Sequence, residues 1–307
     1  MNDKYLLLVS DKDSHFFYCL KNANFYSLYN IYRKMSIFDR VRRKIMILIG
    51  MDIQTFYDTW KNDNNSYTKI IIEDGTLDDR IILYLRRKFP NAQLIYWFRN
   101  SFGAVDYGKS RDLHFRHASM CDKVISFDKK DALLYGYEYM ENAYARDDSL
   151  LPTELKFDMI YLGSEKNRLE SILKVVNYTN SLGWNNYIYI FSKNHKDNKF
   201  THKSFLPYKD YLKIMNQSKV ILDIVDISYQ NGYSLRIFES LFYKKKLITN
   251  MKIIRKEPFY HPNNIYIIDL NDVNSYEGLN NFMQLPFFPI SESILDSFDF
   301  KNWIKRI

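Results

Sequence analysis

Arg236 and Glu239 stand three residues apart, a spacing that puts a guanidinium and a carboxylate on one side of a helix. A guanidinium neutralises and orients an oxyanion, and a carboxylate one turn further on accepts hydrogen bonds from vicinal hydroxyls. The elements that must hold the pair are legible around it. Lys219–Val225 reads as a buried strand, a loop carries Gly232 and Tyr233, Ser234–Tyr243 reads as a short helix, and Lys246–Thr249 as a second strand. Leu235, Ile237, Phe238, Leu241 and Phe242 repeat at helical period on one side, which leaves Arg236, Glu239, Ser240 and Tyr243 on the other. Ser234 is placed to cap the helix, and Gly232 lets backbone approach a ligand closely. The free N–H groups and positive dipole end of such a corner attract a phosphate. Together these features suit a nucleoside diphosphate. The plainer alternative is an exposed ion pair on an ordinary amphipathic helix.

A second cluster opens the C-terminal half. Phe157–Leu162 reads as a strand ending at Gly163, followed by Ser164-Glu165-Lys166-Asn167-Arg168 and a helix to about Leu182. Gly163, Lys166 and Arg168 thus fall at the carboxyl end of a parallel strand, where open α/β sheets bind ligands, and the two cations suit a diphosphate leaving group. Incidental charge at a helix N-terminus is the competing reading. Tyr208, before the helix Lys209–Asn216, is placed to staple the helix start. In the N-terminal half, Tyr96-Trp97-Phe98-Arg99-Asn100 ends a strand with two polar residues, Arg99 and Asn100, which the chain's resemblance to GT-B glycosyltransferases implies are available to an acceptor. Ser126-Phe127-Asp128 reads as a strand end and helix cap. The bases available on this side are His15, His114, His117 and Asp11, the last just after the first strand; an inverting enzyme of the GT-B kind would need one of them near its acceptor hydroxyl. The sequence does not choose among them; Asp11 is expected to act with Arg236 as the catalytic pair.

Ser234-Leu235-Arg236-Ile237-Phe238-Glu239 and Lys244–Asn250 resemble the donor-sugar signature of GT-B glycosyltransferases, in the version found in bacterial capsule, lipopolysaccharide and glycoprotein enzymes. The resemblance implies that Glu239 holds the donor ribose and Arg236 the diphosphate. It extends to Gly163 with its following basic residues and Arg168-Leu169, and to the loop of Tyr208, which in that fold contacts the base. Retaining members carry a second Glu eight positions before the ribose Glu; here that position is Asn231, which leaves the stereochemical course open.

Composition sets the outer bounds. The chain has 307 residues, enough for two domains, with 46% hydrophobic and 26% charged residues, as in ordinary globular proteins. Its 17% aromatic content goes with abundant Asn, Lys and Ile, a pattern of AT-rich coding. Only 9 Gly and 7 Pro argue against long linkers. Cys19 and Cys121 are too few for a disulfide framework or zinc site, so a reducing cytosol is expected. Met1–Lys4 runs into the strand Tyr5–Val9 without a signal peptide, and no stretch approaches the ~20 apolar residues of a membrane span. A nicotinamide GxGxxG, a Walker loop, a GxSxG elbow and HExxH are all missing, and Asp11-Lys12-Asp13 resembles a metal-binding DxD only superficially. No metal and no cofactor are expected. The net charge of +8 suits an anionic partner, but no RNP, helix-turn-helix or zinc motif gathers it for nucleic acid. Much of it lies in Arg33-Lys34 and Arg40–Lys44 beside Ile37-Phe38 and Ile45–Ile49. As helix, this segment is either a basic amphipathic face for anionic lipid or a solvated helix over the N-terminal sheet, the commoner fate of such runs.

Strands and helices alternate throughout, the pattern of α/β architecture. Expected strands are Tyr5–Val9, Lys69–Glu73, Gln93–Trp97, Lys123–Ser126, Phe157–Leu162, Ile188–Phe191, Val220–Val225, Leu247–Thr249 and Ile265–Ile268. Expected helices in the first half cover Ser14–Lys21, much of Tyr26–Ile49, Gln54–Trp60, Leu77–Lys88, Arg111–Ala118 and Lys129–Leu134. The looser stretch Glu141–Leu155 makes the boundary. Two Rossmann-like domains facing a cleft are therefore expected: residues 1–150 for acceptor, 151–289 for nucleotide-sugar, and helices in 290–307 crossing back to the first domain as in the GT-B fold. The resemblance implies a metal-independent, cytoplasmic transferase, possible at the inner membrane face, that moves a sugar from a nucleotide-sugar, a UDP-sugar foremost, to a glycan or lipid-linked oligosaccharide. A glycosyltransferase-like subunit that stabilises an active enzyme is the alternative. Oligomeric state is not legible.

Overall fold

The computed structural model describes residues 4–20, 22–75, 78–103, 111–193, 198–228 and 230–307. The chain divides into two compact units, Met1–Glu141 and Asn142–Ile307, the break falling at the start of the looser stretch. Lys21 and Leu77, at which two expected helices end and begin, lie outside the described residues.

In the first unit, β1 (Tyr5–Val9), β2 (Tyr26–Asn30), β3 (Lys69–Glu73), β4 (Gln93–Phe98), β5 (Lys123–Ser126) and β6 (Glu138–Tyr139) form one parallel sheet in the order β2-β1-β3-β4-β5-β6. Runs such as YLLLV and KIIIE are apolar at nearly every position because helices cover both faces of a parallel sheet. The helices are α1 (Ile37–Leu48), α2 (Asp79–Lys88), α3 (Arg111–Ser119) and α4 (Lys129–Tyr135). Three expectations are corrected here. Tyr26–Asn30, expected as helix, pairs with β1 over five register partners, and its Tyr26 and Leu28 alternate inward. Helix begins only at Ile37, where Ser36 and Asp39 close a reciprocal capping box. Ser14–Leu20 makes turns rather than a helix, because Phe16 and Phe17 pack edge-on against Trp97. Gln54–Trp60 is replaced by two short 3-10 turns, Gln54–Phe56 and Thr59–Asn62, that bury Phe56 and Trp60.

In the second unit, β7 (Phe157–Ser164), β8 (Asn186–Phe191), β9 (Thr201–His202), β10 (Ser218–Asp223), β11 (Lys246–Thr249) and β12 (Ile265–Ile267) make a parallel sheet ordered β12-β11-β10-β7-β8-β9. Counted within the unit this is 3-2-1-4-5-6, the order of dinucleotide-binding folds, with its reversal point between β7 and β10. The first unit's 2-1-3-4-5-6 reverses between β1 and β3. Helices α5 (Leu169–Ser181), α6 (Tyr208–Asn216), α7 (Leu235–Phe242) and α8 (Leu279–Gln284) follow, then α9 (Glu292–Phe298) and α10 (Phe300–Arg306). Phe298 of α9 packs on Phe238 of α7 and on Phe259, and its carbonyl accepts from the Tyr144 amide. β10 stops at Asp223, two residues short of the expected Val225.

Candidate functional site

The reversal point of the second sheet gathers most of the residues expected on the donor side. Asp223 ends β10 with its side chain fully buried, and Gly163 lies at the carboxyl end of the neighbouring β7. Arg236, in the first turn of α7, lays its guanidinium across this point. Nη2 donates to the Leu162 carbonyl at 2.8 Å, Nη1 lies 3.4 Å from Asp223 Oδ1, and the guanidinium sits 4.9 Å from the Tyr161 ring centre. A β-carbon at Gly163 would overlap Nη2, so glycine here is demanded by the arginine, not by backbone conformation. Burial works against the Arg236 charge. Tyr161, Asp223, Tyr211 and Glu239 more than offset it, and the guanidinium is held above its ordinary range. Its Nε is buried with no hydrogen-bond partner among the described residues.

Asp223 was not singled out from sequence, yet it organises the corner. It accepts from Ser234 Oγ at 2.8 Å and from Thr249 Oγ1 at 3.4 Å, in addition to its contact with Arg236. The expected Ser234 cap is corrected accordingly. Ser234 occupies the N-cap position of α7, but its hydroxyl turns to Asp223 and no side chain caps the helix. An aspartate inside the apolar run VILDIV was the available signal, since a buried carboxylate requires partners.

The plainer alternative, an exposed ion pair on an ordinary amphipathic helix, does not hold, because Ile237 to Phe242 are all buried and Glu239 is only 2% exposed. Tyr208 and Tyr211 of α6 cover it. The Tyr208 hydroxyl donates to Oε1 at 2.8 Å and the Tyr211 hydroxyl donates to Oε2. Their rings stack at 5.2 Å, and the Tyr144 hydroxyl lies 3.0 Å from that of Tyr208. Burial raises the Glu239 carboxyl, against the lowering by the two phenols and Arg236. Burial, then the Glu239 charge, hold all three phenols well above their usual range.

Arg168 precedes α5, and its guanidinium donates to the carbonyls of Ile224 at 2.5 Å and Ser164 at 2.9 Å, tying the ends of β7 and β10 together. Lys166 is exposed; it and Asn167 both adopt positive φ, at 39° and 61°, a strained turn just beyond β7. Gly232 and Tyr233 are buried before α7, and Tyr233 donates its hydroxyl to Glu257. Beside β7, Phe191 at the end of β8 stacks at 3.6 Å on Phe205, which is 66% exposed. Neither ring was singled out from sequence, because isolated aromatics carry no periodic signal.

The remaining expected residues belong to the first unit, at the carboxyl ends of its strands. Arg99 is paired with Glu73, the last residue of β3, and its guanidinium sits 4.5 and 4.7 Å from the rings of Phe16 and Phe17. Glu73 also accepts from the Ser10 amide at 2.7 Å, joining β1 to β3 at that sheet's reversal point. Asn100 Nδ2 lies 3.5 Å from Asp74 Oδ2. Asp11 is exposed after β1 and accepts from the Asp13 amide at 3.0 Å. His15 is exposed, whereas His114 and His117 are buried. His114 Nδ1 lies 2.8 Å from the Tyr96 hydroxyl, and burial together with His117 pushes the imidazole down to about 4. His117 Nε2 lies 2.8 Å from Asp79 Oδ1.

No family model and no curated protein matches the chain. Among solved structures it is similar to an alpha-glucosyltransferase in complex with UDP and a 13-mer DNA containing a HMU base. That likeness covers 99% of this chain and 95% of that one, with TM-score 0.55 and 10% identity. An alpha-glucosyltransferase in complex with UDP and a 13-mer DNA containing a central A:G mismatch gives TM-score 0.50 at 10% identity, over 99% and 94%. The likeness, with two parallel six-stranded sheets, gives the chain the GT-B architecture.

Proposed function

We propose that the chain is a glycosyltransferase that moves a sugar from a nucleotide-sugar, a UDP-sugar foremost, to a glycan or lipid-linked oligosaccharide of bacterial surface polysaccharide or glycoprotein. The observation that carries this reading is the Arg236 guanidinium laid over Gly163 at the reversal point of a 3-2-1-4-5-6 sheet, beside a helix N-terminus that no side chain caps. A diphosphate lying there meets Arg236 and the first amides of α7. Lys166 adds positive charge from the turn after β7, and Arg168 holds that turn in place. The ribose approaches Glu239, whose oxygens have lone pairs beyond those engaged by Tyr208 and Tyr211. The two solved alpha-glucosyltransferases with UDP support UDP as the first nucleotide to try.

In the reaction, an acceptor oxygen bonds to the anomeric carbon as the bond from that carbon to the diphosphate oxygen breaks. The electron pair leaves on the nucleoside diphosphate, where the charge is stabilised by Arg236. The acceptor proton passes to a base. Of the four candidates, His114 and His117 are buried against Tyr96 and Asp79, whereas Asp11 and His15 are exposed, so Asp11 or His15 takes the role.

A second reading, a non-catalytic partner subunit, is favoured by one observation: both Glu239 oxygens are already engaged by phenols. The two readings separate on purified protein. UDP release from UDP-sugars and a rise in Tm with UDP are expected for the enzyme. Glu239→Gln should weaken UDP binding roughly tenfold to a hundredfold, the worth of a charge-assisted hydrogen bond, without lowering Tm by more than a few degrees. A parent protein that binds UDP but never releases it from a donor would be the partner subunit. One that binds no nucleotide at all defeats the enzyme reading and leaves the partner subunit.

A further inference from the structure

The helix α1 is amphipathic in the inverted sense. Its inner side is held firmly: Asp39 pairs with Arg33 at 3.1 Å, the Arg43 guanidinium lies 4.0 Å from the Tyr32 ring centre, and Met46 and Ile47 pack on the core of the first unit. Arg80 fastens the C-terminal end by donating to the carbonyls of Ile47 and Met51, each at 2.8 Å. At 100° per residue, Ile37, Phe38, Val41, Ile45 and Leu48 fall on the opposite side as one stripe. That stripe faces outward. Ile37 is 81%, Phe38 76% and Leu48 86% exposed, and no residue of the helix is buried. The stripe runs on through Ile49 and Met51, also exposed. Arg40 and Lys44 line one rim of it and Arg42 the other, all exposed.

Burial against the sheet therefore does not explain these apolar residues. We infer that α1 is an interfacial helix that rests on an anionic lipid surface. A second copy of the chain would bring its own basic rims against these, so the stripe does not suit self-pairing. Nucleic acid would satisfy the rims but leave the apolar stripe facing phosphates. A lipid surface satisfies both at once: headgroups take Arg40, Arg42 and Lys44, and the acyl boundary takes Ile37, Phe38 and Leu48. With 12 residues the helix is about 18 Å long, so it lies in the interface and does not span. The inference does not depend on the donor-site reading.

The test is flotation of the full-length protein with phosphatidylcholine vesicles, with and without phosphatidylglycerol. The parent is expected to float with the anionic vesicles. Arg40→Ser/Arg42→Ser/Lys44→Ser should cut partitioning at low salt by roughly a hundredfold, about fivefold per charge. Ile37→Ser/Phe38→Ser/Leu48→Ser should cut it comparably and, unlike the basic variant, should retain its deficit in high salt. Tm of both variants should match the parent, since exposed side chains are replaced. Three results would overturn the inference: flotation that survives loss of the apolar residues, a lipid-free dimer that the apolar variant lacks, or duplex DNA bound through the same residues by a protein that ignores vesicles.

Discussion

The contact of Arg236 with Gly163 turns two distant sequence positions into one device. A planar guanidinium fits flat across this strand end only where the strand carries no β-carbon, and its fork lets one side chain serve Asp223 and the Leu162 carbonyl together. Gly163→Ala should therefore act through the arginine. The overlapping atom is the far end of a flexible side chain, so the fold is expected to survive while Arg236 swings away. UDP affinity and turnover should fall about tenfold or more, the worth of one charge-assisted hydrogen bond. Adding Gly163→Ala to Arg236→Lys should cost little beyond Arg236→Lys alone, because sites that act together do not add. Isothermal titration with UDP across the four proteins measures this; simple additivity would mean that the two residues act separately.

Among the elements, α3 shows how far packing governs titration. It turns His114 and His117 into the unit, and His114 meets Tyr96 of β4. Because the folded value is about 4 against an ordinary 6.5, the neutral imidazole is the one the fold accepts. The unfolded chain binds the extra proton first as pH falls, so stability should decline across the window from 6.5 to 4 and level off below it. The loss should be on the order of 1–2 kcal/mol, discounted for solvent near the ring, and His114→Gln should lack it. Urea midpoints at several pH values read this directly; a variant as acid-sensitive as the parent would place the titration elsewhere. The same packing explains which elements the sequence revealed. Long apolar runs such as KIIIE and KVILD announced buried parallel strands, and Gly163, Arg236 and Glu239 were found on the motif that holds them. β2 was misread as helix because five residues, YSLYN, become strand only through pairing with β1. The burial of Glu239 is not legible locally, because the tyrosines that cover it come from α6, 28 and 31 positions away. Asp223 was passed over as one residue of a strand, although a carboxylate in that run needed a reason.

At the scale of the whole molecule, each unit places an arginine against a carboxylate at its sheet's reversal point, Arg99 with Glu73 and Arg236 with Asp223. Among the described residues, no group of three or more His, Cys, Asp or Glu gathers to hold a metal ion. If Arg236 carries the diphosphate charge as proposed, turnover should persist in EDTA; loss of activity restored by magnesium or manganese would show that a metal carries part of that charge. The outward stripe of α1 has a consequence of a more practical kind. In a thin aqueous film about to be vitrified, the nearest apolar phase is air, and Ile37, Phe38 and Leu48 offer the molecule a way onto it. Particles should then lie with α1 uppermost, crowding the views into a narrow cone, and a trace of detergent that occupies the stripe first should let them tumble freely.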